Sequence, residues 1–453
     1  MEVRDPIHGF IQYEDKEERI INTRVFQRLR NIKQLALASY VYPGALHTRF
    51  DHSLGVMHLA RKIAERLELN KKIKIVTLAG LLHDIGHGPF SHISEQILER
   101  FTLNLKDLLN KWRADNAHEL MSILIIKFNK ELRKFMSNSE REEIIKILQK
   151  HEKRFLEKDI VSGPLDADKL DYLLRDTYFT GVKYGVFDID KIIESMVKIP
   201  IGREIFQIGI KEEGVYALEQ FLLASYHMKM QVYYHRIRRI IDAMLIRGVE
   251  FAIKSGLEEL REVFSIKDNE EFVKKYIEFD DYKLIDLILN KGDKISKEYF
   301  IRIKNRRLFK EICKIELSKE ELKVDAVIYD RIMEMGEKEF KNMAKSISEF
   351  LKNKHKVEVK PEFIIVDRQT VTNPTFKSPG IKIDSETILV VRNKEKRESF
   401  KEVSEVFKNP TVEPEKNFLY IYAAIDNINR RKRAKIKNDV TKFVKKYLKE
   451  GGT

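Results

Sequence analysis

Apolar residues recur every three to four positions through much of the first 250 residues, which is the spacing of one buried helix face. Ile21, Val25, Leu29 and Ile32 show this spacing near the start of the chain. The pattern predicts helices over residues 20–37, 54–67, 73–82, 91–101, 118–128, 140–149, 167–176, 189–196 and 217–252.

The apolar run 73–82 ends shortly before Gly86. A glycine just beyond a periodic stretch favours the end of a helix. We therefore expect His83 and Asp84 to lie at the C-terminal end of that helix.

Past residue 254 the apolar pattern breaks into shorter, more charged stretches, and from Val357 the period changes. Short β-branched runs bounded by Pro, Gly and Asn are typical of strands. The pattern predicts helices at 268–276, 282–289, 296–301 and 326–352, and strands at 363–366, 381–383, 388–392 and 418–423. The predicted fold class is mainly α, with a helical core over residues 1–250, a helical extension over 251–355 and a small α+β lobe over 356–453.

The chain ends in a basic segment, residues 429–449, in which six cations lie between Arg430 and Lys437. The pattern predicts a helix over this segment. A run of charge is most often a solvated or oligomer-facing surface, and contact with a polyanion is the alternative.

Composition favours an intracellular location. Cys313 is the one cysteine among 453 residues, so no intrachain disulfide forms, and the acidic and basic residues at the N-terminus leave no room for an apolar export signal. The longest apolar stretch contains Lys74 and is far shorter than the ~20 residues that span a bilayer. We expect a cytoplasmic protein with no membrane contact.

The charge balance, 85 Lys and Arg against 71 Asp and Glu, gives a formal net charge of +14. Such a charge attracts polyanions, either nucleotides or nucleic acid. A nucleotide is the favoured partner, and nucleic acid is the less favoured one.

Histidines concentrate in two short segments, Leu46–His52 and Leu82–His92. The second contains a His-Asp doublet, with further histidines one and two turns beyond and glycines that let the backbone approach a ligand. Imidazole and carboxylate suit Mg, Mn, Fe, Ni or Zn, and the spacing matches no zinc finger. The pattern favours a catalytic metal over a structural one.

These segments resemble the HD-domain phosphohydrolases, because His52, His83, Asp84 and Asp168 reproduce that family's H…HD…D pattern. The similarity extends to the branch of deoxynucleoside triphosphate (dNTP) triphosphohydrolases that includes the SAM-and-HD-domain enzyme. It is carried by the segments Arg4–Gly9, Phe26–Leu35, Arg49–Gly55, Gly86–His92 and Asp166–Asp176. It runs clearly to about Arg247, which makes residues 1–250 the HD-domain core.

The resemblance implies one divalent ion held by His52, His83, Asp84 and Asp168. Four ligands leave open positions for a water and a phosphate oxygen. In the family, water attacks the α-phosphate and releases deoxynucleoside and intact triphosphate.

The resemblance also assigns roles around that ion. His92 is the expected general acid and Glu95, one turn further along, orients its ring, while His87 and His118 contact phosphates or support the acid. The substrate-binding residues are carried over with their roles: Gln34 and Leu35 face the sugar and base. Arg49 and Lys169 contact phosphates, and Tyr172, Asp176 and Tyr233 surround the sugar. Gln27 and Arg30 match residues that bind an effector in allosteric relatives. The resemblance also implies a homo-oligomer, either a dimer or a tetramer.

Two departures from the family pattern stand out. Ser225 occupies a position where close relatives place an Arg on the phosphates, and Asn22 replaces an Asp that pairs with guanine in allosteric relatives. The first leaves room for a different phosphoester substrate, such as another nucleotide or a nucleic-acid end, or for a nucleotide sensor with weak turnover. The second makes activation by GTP doubtful.

Overall fold

The computed structural model describes residues 1–151, 155–202, 205–324, 326–372, 388–392, 396–407 and 415–450. Helices dominate, and strands are concentrated toward the C-terminus, so the predicted mainly α fold with a smaller α+β region is confirmed. Among these residues, no helix has both the length and the apolar character needed to cross a membrane.

The first hundred residues begin with a hairpin and continue as helices linked by 3₁₀ turns. The elements are β1 Glu2–Asp5, β2 Gly9–Gln12, α1 Asp15–Ile21, α2 Arg24–Gln27, α3 Arg49–Arg66, α4 Ile73–Leu82 and α5 His92–Phe101.

The middle of the chain is helical around one hairpin. The elements are α6 Leu105–Trp112, α7 Ala117–Phe128, α8 Lys130–Phe135, α9 Asn138–Leu148, α10 Leu156–Ser162, α11 Ala167–Thr180, α12 Ile189–Ser195, β3 Met196–Gly202, β4 Ile205–Lys211, α13 Val215–Met228 and α14 Arg236–Lys254. A π-helical turn, Lys229–Tyr233, follows α13 directly.

The last part alternates helices and strands. The elements are α15 Glu258–Val263, α16 Glu270–Tyr276, α17 Asp281–Lys291, α18 Lys294–Lys304, β5 Lys310–Glu316, α19 Lys319–Leu322, α20 Ala326–Glu334, α21 Glu337–His355, β6 Ile364–Thr372, β7 Leu389–Arg392, β8 Lys396–Ser399, α22 Phe400–Val403, β9 Glu415–Ala423 and α23 Arg430–Glu450.

The prediction of one helix over 20–37 is wrong. The side chain of Thr23 accepts a hydrogen bond from the backbone of Phe26 and starts a new helix, because threonine satisfies the free N–H groups of a first turn. Further on, Ala36 has a positive φ of 50°, which no α-helix contains.

The prediction of one helix over 217–252 is also wrong, because the π turn and His235, which caps α14, interrupt it. Gly336 likewise divides the predicted helix 326–352 into two. The hairpin of β3 and β4 was not predicted. The predicted strand 381–383 lies outside the described residues.

The chain divides into two compact units. The first comprises residues 1–233, 256–290 and 374–411, and the second comprises 234–255, 291–373 and 412–453. The proposed sequence boundaries at 250 and 355 stay a prediction.

The first unit is built around α3, whose buried face packs on α4 and α11. The mixed sheet β3-β4-β7-β8 also belongs to it, and there β4 and β7 run parallel. This helical packing places the histidine-rich segments on neighbouring elements.

The second unit contains an antiparallel sheet, β5-β9-β6, with β9 at its centre. Helix α23 buries one apolar stripe in the core of this unit, and its other faces carry the cations of the basic segment. The stripe consists of Ile436, Val440, Val444 and Leu448, which are spaced four residues apart.

Candidate functional site

Four side chains that the sequence singles out meet in the first unit. His52 lies in α3, His83 and Asp84 follow α4 directly, and Asp168 is the second residue of α11. The Nε2 atom of His52 is 3.0 Å from Asp168 Oδ1 and 3.5 Å from Asp84 Oδ2. The Nε2 atom of His83 is 3.3 Å from Asp84 Oδ1. The structure therefore brings all four predicted metal ligands together.

The orientation of both rings fits a divalent cation. His83 Nδ1 lies 2.8 Å from the carbonyl oxygen of Gly80, and His52 Nδ1 lies 2.7 Å from Asp171 Oδ2. Both partners only accept hydrogen bonds, so each Nδ1 carries a proton, and a ring that gives up its second proton presents a lone pair at Nε2. The two Nε2 atoms are buried, make no hydrogen bond and face carboxylates. A cation between them removes that repulsion.

The charges around these rings also favour a bound cation. Burial alone would lower the pKa of His52, yet the carboxylates of Asp168 and Asp171 raise it to about 10. Burial would raise the pKa of Asp168, but His52 and His83 hold it well below its usual range. The site thus stabilises positive charge at the point where ligand atoms of His52, His83 and Asp168 lie within 4.8 Å of one another.

Arg49 joins this cluster to a second one. Its guanidinium donates to Asp84 Oδ2 and, 3.0 Å away, to Ser91 Oγ, and its Nη2 is 3.4 Å from His92 Nε2. Asp84 therefore shares one carboxylate between Arg49 and the two histidines His83 and His87, each 3.3 Å from Oδ1.

The second cluster consists of His87, His92 and His118, held by Glu95. The Nδ1 atoms of His92 and His118 lie 3.1 Å and 3.0 Å from the two carboxylate oxygens of Glu95. His92 is the exposed member, with 61% of its side chain accessible, and the rings of His87 and His118 stack with centroids 4.3 Å apart. Glu95 thus orients both rings and leaves their Nε2 atoms available.

Electrostatics distinguishes the members of this cluster. Burial and the cations of Arg49 and His118 hold the pKa of His87 well below its usual value. Burial also opposes the charged form of His118, but Glu95 raises its pKa to about 9. Burial would raise the pKa of Glu95, whereas His118 and His92 lower it strongly. His118 and Glu95 form a half-buried charged pair beside a neutral, fully buried His87.

In the loop between His83 and His92, the backbone at Gly86 lies directly against the backbone of α7. A Cβ there would lie 2.2 Å from the backbone nitrogen of Ser122 and 2.4 Å from the carbonyl oxygen of His118. The Ser122 hydroxyl accepts from Gly86 N–H at 2.9 Å and donates to the carbonyl of His83 at 2.6 Å. Glycine at this position lets α7 and the loop bring both histidine clusters together.

Sequence reasoning missed the two residues that secure this loop. Arg28 is buried and donates to the carbonyls of Ile85 and His87 at 2.9 Å and 2.7 Å. Asp281, also buried, accepts from Phe90 N–H at 2.6 Å. Arg28 lies inside one of the family-like segments, which was the available clue, whereas Asp281 is nearly 200 positions away and had none.

The predicted sugar-binding residues form a separate group around Asp176. This buried carboxylate lies 2.7 Å from His47 Nε2 and accepts from the Tyr233 hydroxyl at 2.6 Å. The ring of Tyr172 meets that of Tyr233 edge-on, with centroids 6.3 Å apart. Gln34 and Leu35 are buried, and the backbone of Gln34 bonds to that of His47.

Lys169, predicted to contact phosphate, is paired within the protein. Its Nζ donates to Asp166 and, at 2.8 Å, to the carbonyl of Gly163. Lys229, on the π turn, has its pKa lowered to about 8 by burial and by the charge of Lys169. The two ammonium groups are therefore close enough to repel each other.

The predicted effector residues contact each other. Arg30 Nε donates to Gln27 Oε1 at 2.8 Å, and the Arg30 guanidinium lies over the ring of Phe50. Their role toward an effector stays a prediction.

Comparison with known proteins supports the resemblance. The family model of the HD domain matches residues 49–176, and that of the HD-associated region matches residues 187–409. A solved phosphohydrolase from Bacteroides thetaiotaomicron is 26% identical and superposes with a TM-score of 0.69 over 93% of this chain and 99% of that one.

Two curated relatives show the range of names in this group. An uncharacterised protein of Methanocaldococcus jannaschii is 37% identical over 311 residues, or 68% of this chain and 59% of its own. The deoxynucleoside triphosphate triphosphohydrolase SAMHD1 homolog of Dictyostelium discoideum is 29% identical over 347 residues, or 72% of this chain and 62% of its own. The chain thus spans about three fifths of the length of both.

Proposed function

Because this chain belongs to the family of HD-domain phosphohydrolases, we propose that it is a metal-dependent dNTP triphosphohydrolase. The reaction would convert a dNTP and water into a deoxynucleoside and inorganic triphosphate. The observation that carries the proposal is the pair of buried imidazole lone pairs, on His52 and His83, that face carboxylates beside a second, carboxylate-held histidine cluster.

The proposed metal ligands are His52, His83, Asp84 and Asp168. A divalent ion held there supplies Lewis-acid chemistry, since it lowers the pKa of a water and polarises a phosphoryl group. Elemental analysis of the purified protein would give its identity among Mg, Mn, Fe, Ni and Zn.

His92 is placed to act on the leaving group. Its Nδ1 bond to Glu95 fixes the ring, and its exposed Nε2 can give a proton to the 5′-oxygen as the bond to phosphorus breaks. Arg49, 3.4 Å from His92 Nε2, can turn its guanidinium toward the phosphate between the two clusters.

Asp176 and the two tyrosines support recognition of deoxyribose. His47 and Tyr233 hold the carboxylate of Asp176 by one oxygen each, so its remaining lone pairs can accept from a 3′-hydroxyl. The Tyr172 ring packed under C2′ would leave no space for a 2′-hydroxyl. A cytoplasmic homo-oligomer, dimer or tetramer, stays the expectation.

The position of Ser225 favours a second candidate, hydrolysis of a different phosphoester. Ser225 is buried in α13, at the position where the resemblance implies an Arg on the phosphates. Lys229 can supply the cation that Ser225 lacks, because it lies one helical turn further on, close to Lys169. This favours the dNTP over the different phosphoester.

Product identity tests the proposal. Incubation with each dNTP and Mn²⁺ should release inorganic triphosphate and deoxynucleoside, and ribonucleotides should react poorly. Release of pyrophosphate or phosphate would favour the second candidate, and binding without any product would favour a nucleotide sensor. His83→Ala, assayed in parallel, excludes a contaminating phosphatase.

Lys229 should carry part of the triphosphate affinity. Lys229→Ala should raise the KM for dNTPs about ten- to a hundredfold, with kcat little changed, because a charge-assisted hydrogen bond contributes roughly 1.5–3 kcal/mol. Adding Ser225→Arg to that variant should recover part of the loss. Steady-state kinetics would measure both, with Lys71→Ala, an exposed lysine elsewhere in the first unit, as the matched control. An unchanged KM in Lys229→Ala would rule out this role.

A further inference from the structure

Asp171 is a heavily bonded carboxylate near the proposed metal site and is not one of the proposed ligands. It is fully buried in α11, one turn beyond Asp168. Its Oδ2 lies 2.7 Å from His52 Nδ1 and accepts from Arg175 Nε at 2.8 Å. Its Oδ1 lies 2.6 Å from His8 Nε2 and accepts from Arg175 Nη2 at 2.9 Å.

The guanidinium of Arg175 makes Asp171 a permanent acceptor. Arg175 is fully buried and also donates to Asp5 Oδ2 at 2.8 Å, so one cation sits between two carboxylates. An ionised carboxylate only accepts, and it therefore requires a proton on each imidazole nitrogen that faces it.

The ionised carboxylate of Asp171 therefore fixes the tautomer of His52, one of the proposed metal ligands. With the proton held on Nδ1, the neutral His52 ring must present its lone pair at Nε2, which is the atom that faces Asp168 and Asp84. A carboxylate behind a histidine ligand fixes the tautomer and the ring orientation and raises the basicity of the ligand.

The N-terminal hairpin is part of the same network. Asp5 is the last residue of β1 and His8 lies in the turn before β2. The Oδ1 atom of Asp5 accepts from the backbone N–H groups of Ile7 and His8 at 2.8 Å and 2.9 Å. One oxygen of Asp5 thus shapes the turn that aims His8, and the other binds Arg175. The hairpin reaches Asp171 at Oδ1, whereas His52 contacts Oδ2.

Gly55 shows that α3 and α11 are fitted to this arrangement. A Cβ at position 55 would lie 1.8 Å from Asp171 Oδ1 and 2.5 Å from Arg175 Nη2. Only glycine leaves space for the charged groups between the two helices.

We propose that Asp171 is a positioning residue for the metal centre and that the N-terminal hairpin, through His8, holds it in place and so sets the metal affinity. The inference rests on the proposed function only in taking His52 as a metal ligand. It holds whichever phosphoester the enzyme hydrolyses.

Titration with Mn²⁺ alone, without nucleotide, tests the proposal. The metal-free full-length protein is titrated, and free Mn²⁺ is followed by electron paramagnetic resonance. Asp171→Asn and His8→Leu should raise the Kd for Mn²⁺ about 10- to 100-fold, the usual cost of losing a partner behind a metal ligand. His8→Gln, which keeps an N–H donor, should bind nearly as well as wild type. A merely structural role would not give this rescue.

Arg4→Ala is the matched control in the hairpin, because Arg4 lies over the ring of Phe10 and does not bond to Asp171. Circular dichroism at the assay temperature establishes whether each variant is folded. If Asp171→Asn is unfolded, the proposal is tested by His8→Leu alone. Wild-type affinity in His8→Leu would overturn the positioning role while the metal site stands. A wild-type protein that binds no Mn²⁺ would overturn the metal site and the positioning role together.

Discussion

His83→Ala should abolish both metal binding and turnover while leaving the protein folded. His83 makes one hydrogen bond, to the carbonyl of Gly80, and its Nε2 makes none, so its removal costs little besides a ligand. The loss of activity should exceed the roughly 10- to 100-fold effect of removing a partner behind a ligand. Metal content by elemental analysis and turnover of dNTPs measure the two losses.

Asp84→Ala should give the same chemical loss with a different effect on stability. The carboxylate of Asp84 pairs with the buried guanidinium of Arg49, and breaking a buried pair costs about 3–5 kcal/mol. Urea unfolding should therefore show lower stability for Asp84→Ala than for His83→Ala. His151→Ala, a surface histidine bonded to the carbonyl of Lys146, is the control for both. Bound metal and full turnover in either site variant would refute the ligand assignment.

His92→Ala and Glu95→Gln should lower kcat by about 10²–10⁴-fold, the usual contribution of a general acid. Neither residue is among the proposed metal ligands, so the Mn²⁺ affinity should stay at the wild-type value. Glu95→Gln acts on both His92 and His118, since one carboxylate holds the two rings. Gln96→Ala, exposed on the same helix, should behave as wild type.

The leaving group provides the decisive comparison for His92. Bis(4-nitrophenyl) phosphate releases an anion that needs no proton, so His92→Ala should lose much less activity on this ester than on a dNTP. Equal losses on both substrates would mean that His92 binds substrate rather than donating a proton.

The sequence predicted the fold best where one helix face stays apolar without interruption. The helix 73–82 has the bounds that the periodicity indicates, and His83 and Asp84 follow it as expected. The prediction failed where a local contact ends a helix within an unbroken apolar pattern. Thr23 is such a case, because a capping side chain leaves the hydrophobic periodicity unchanged.

The candidate site shows the same division. His52, His83, Asp84 and Asp168 could be named because their pattern along the chain resembles a family motif, and the structure brings them together. The contact between His8 and Asp171 joins residues 163 positions apart, and no periodicity or spacing encodes such a pairing. The residues that orient the ligands, unlike the ligands themselves, became visible only in three dimensions.

The π turn at Lys229–Tyr233 affects how the chain around Asp176 can change during evolution. A π turn holds one residue more than the α-helical turn it replaces, so it is equivalent to a single-codon insertion. Deleting one residue between Lys229 and Tyr233 would restore an α-helical turn without rotating Tyr233 relative to α13, so the Tyr233 hydroxyl would keep its bond to Asp176. One codon can therefore be gained or lost at this turn while the contact between Tyr233 and Asp176 and the two histidine clusters stay in place.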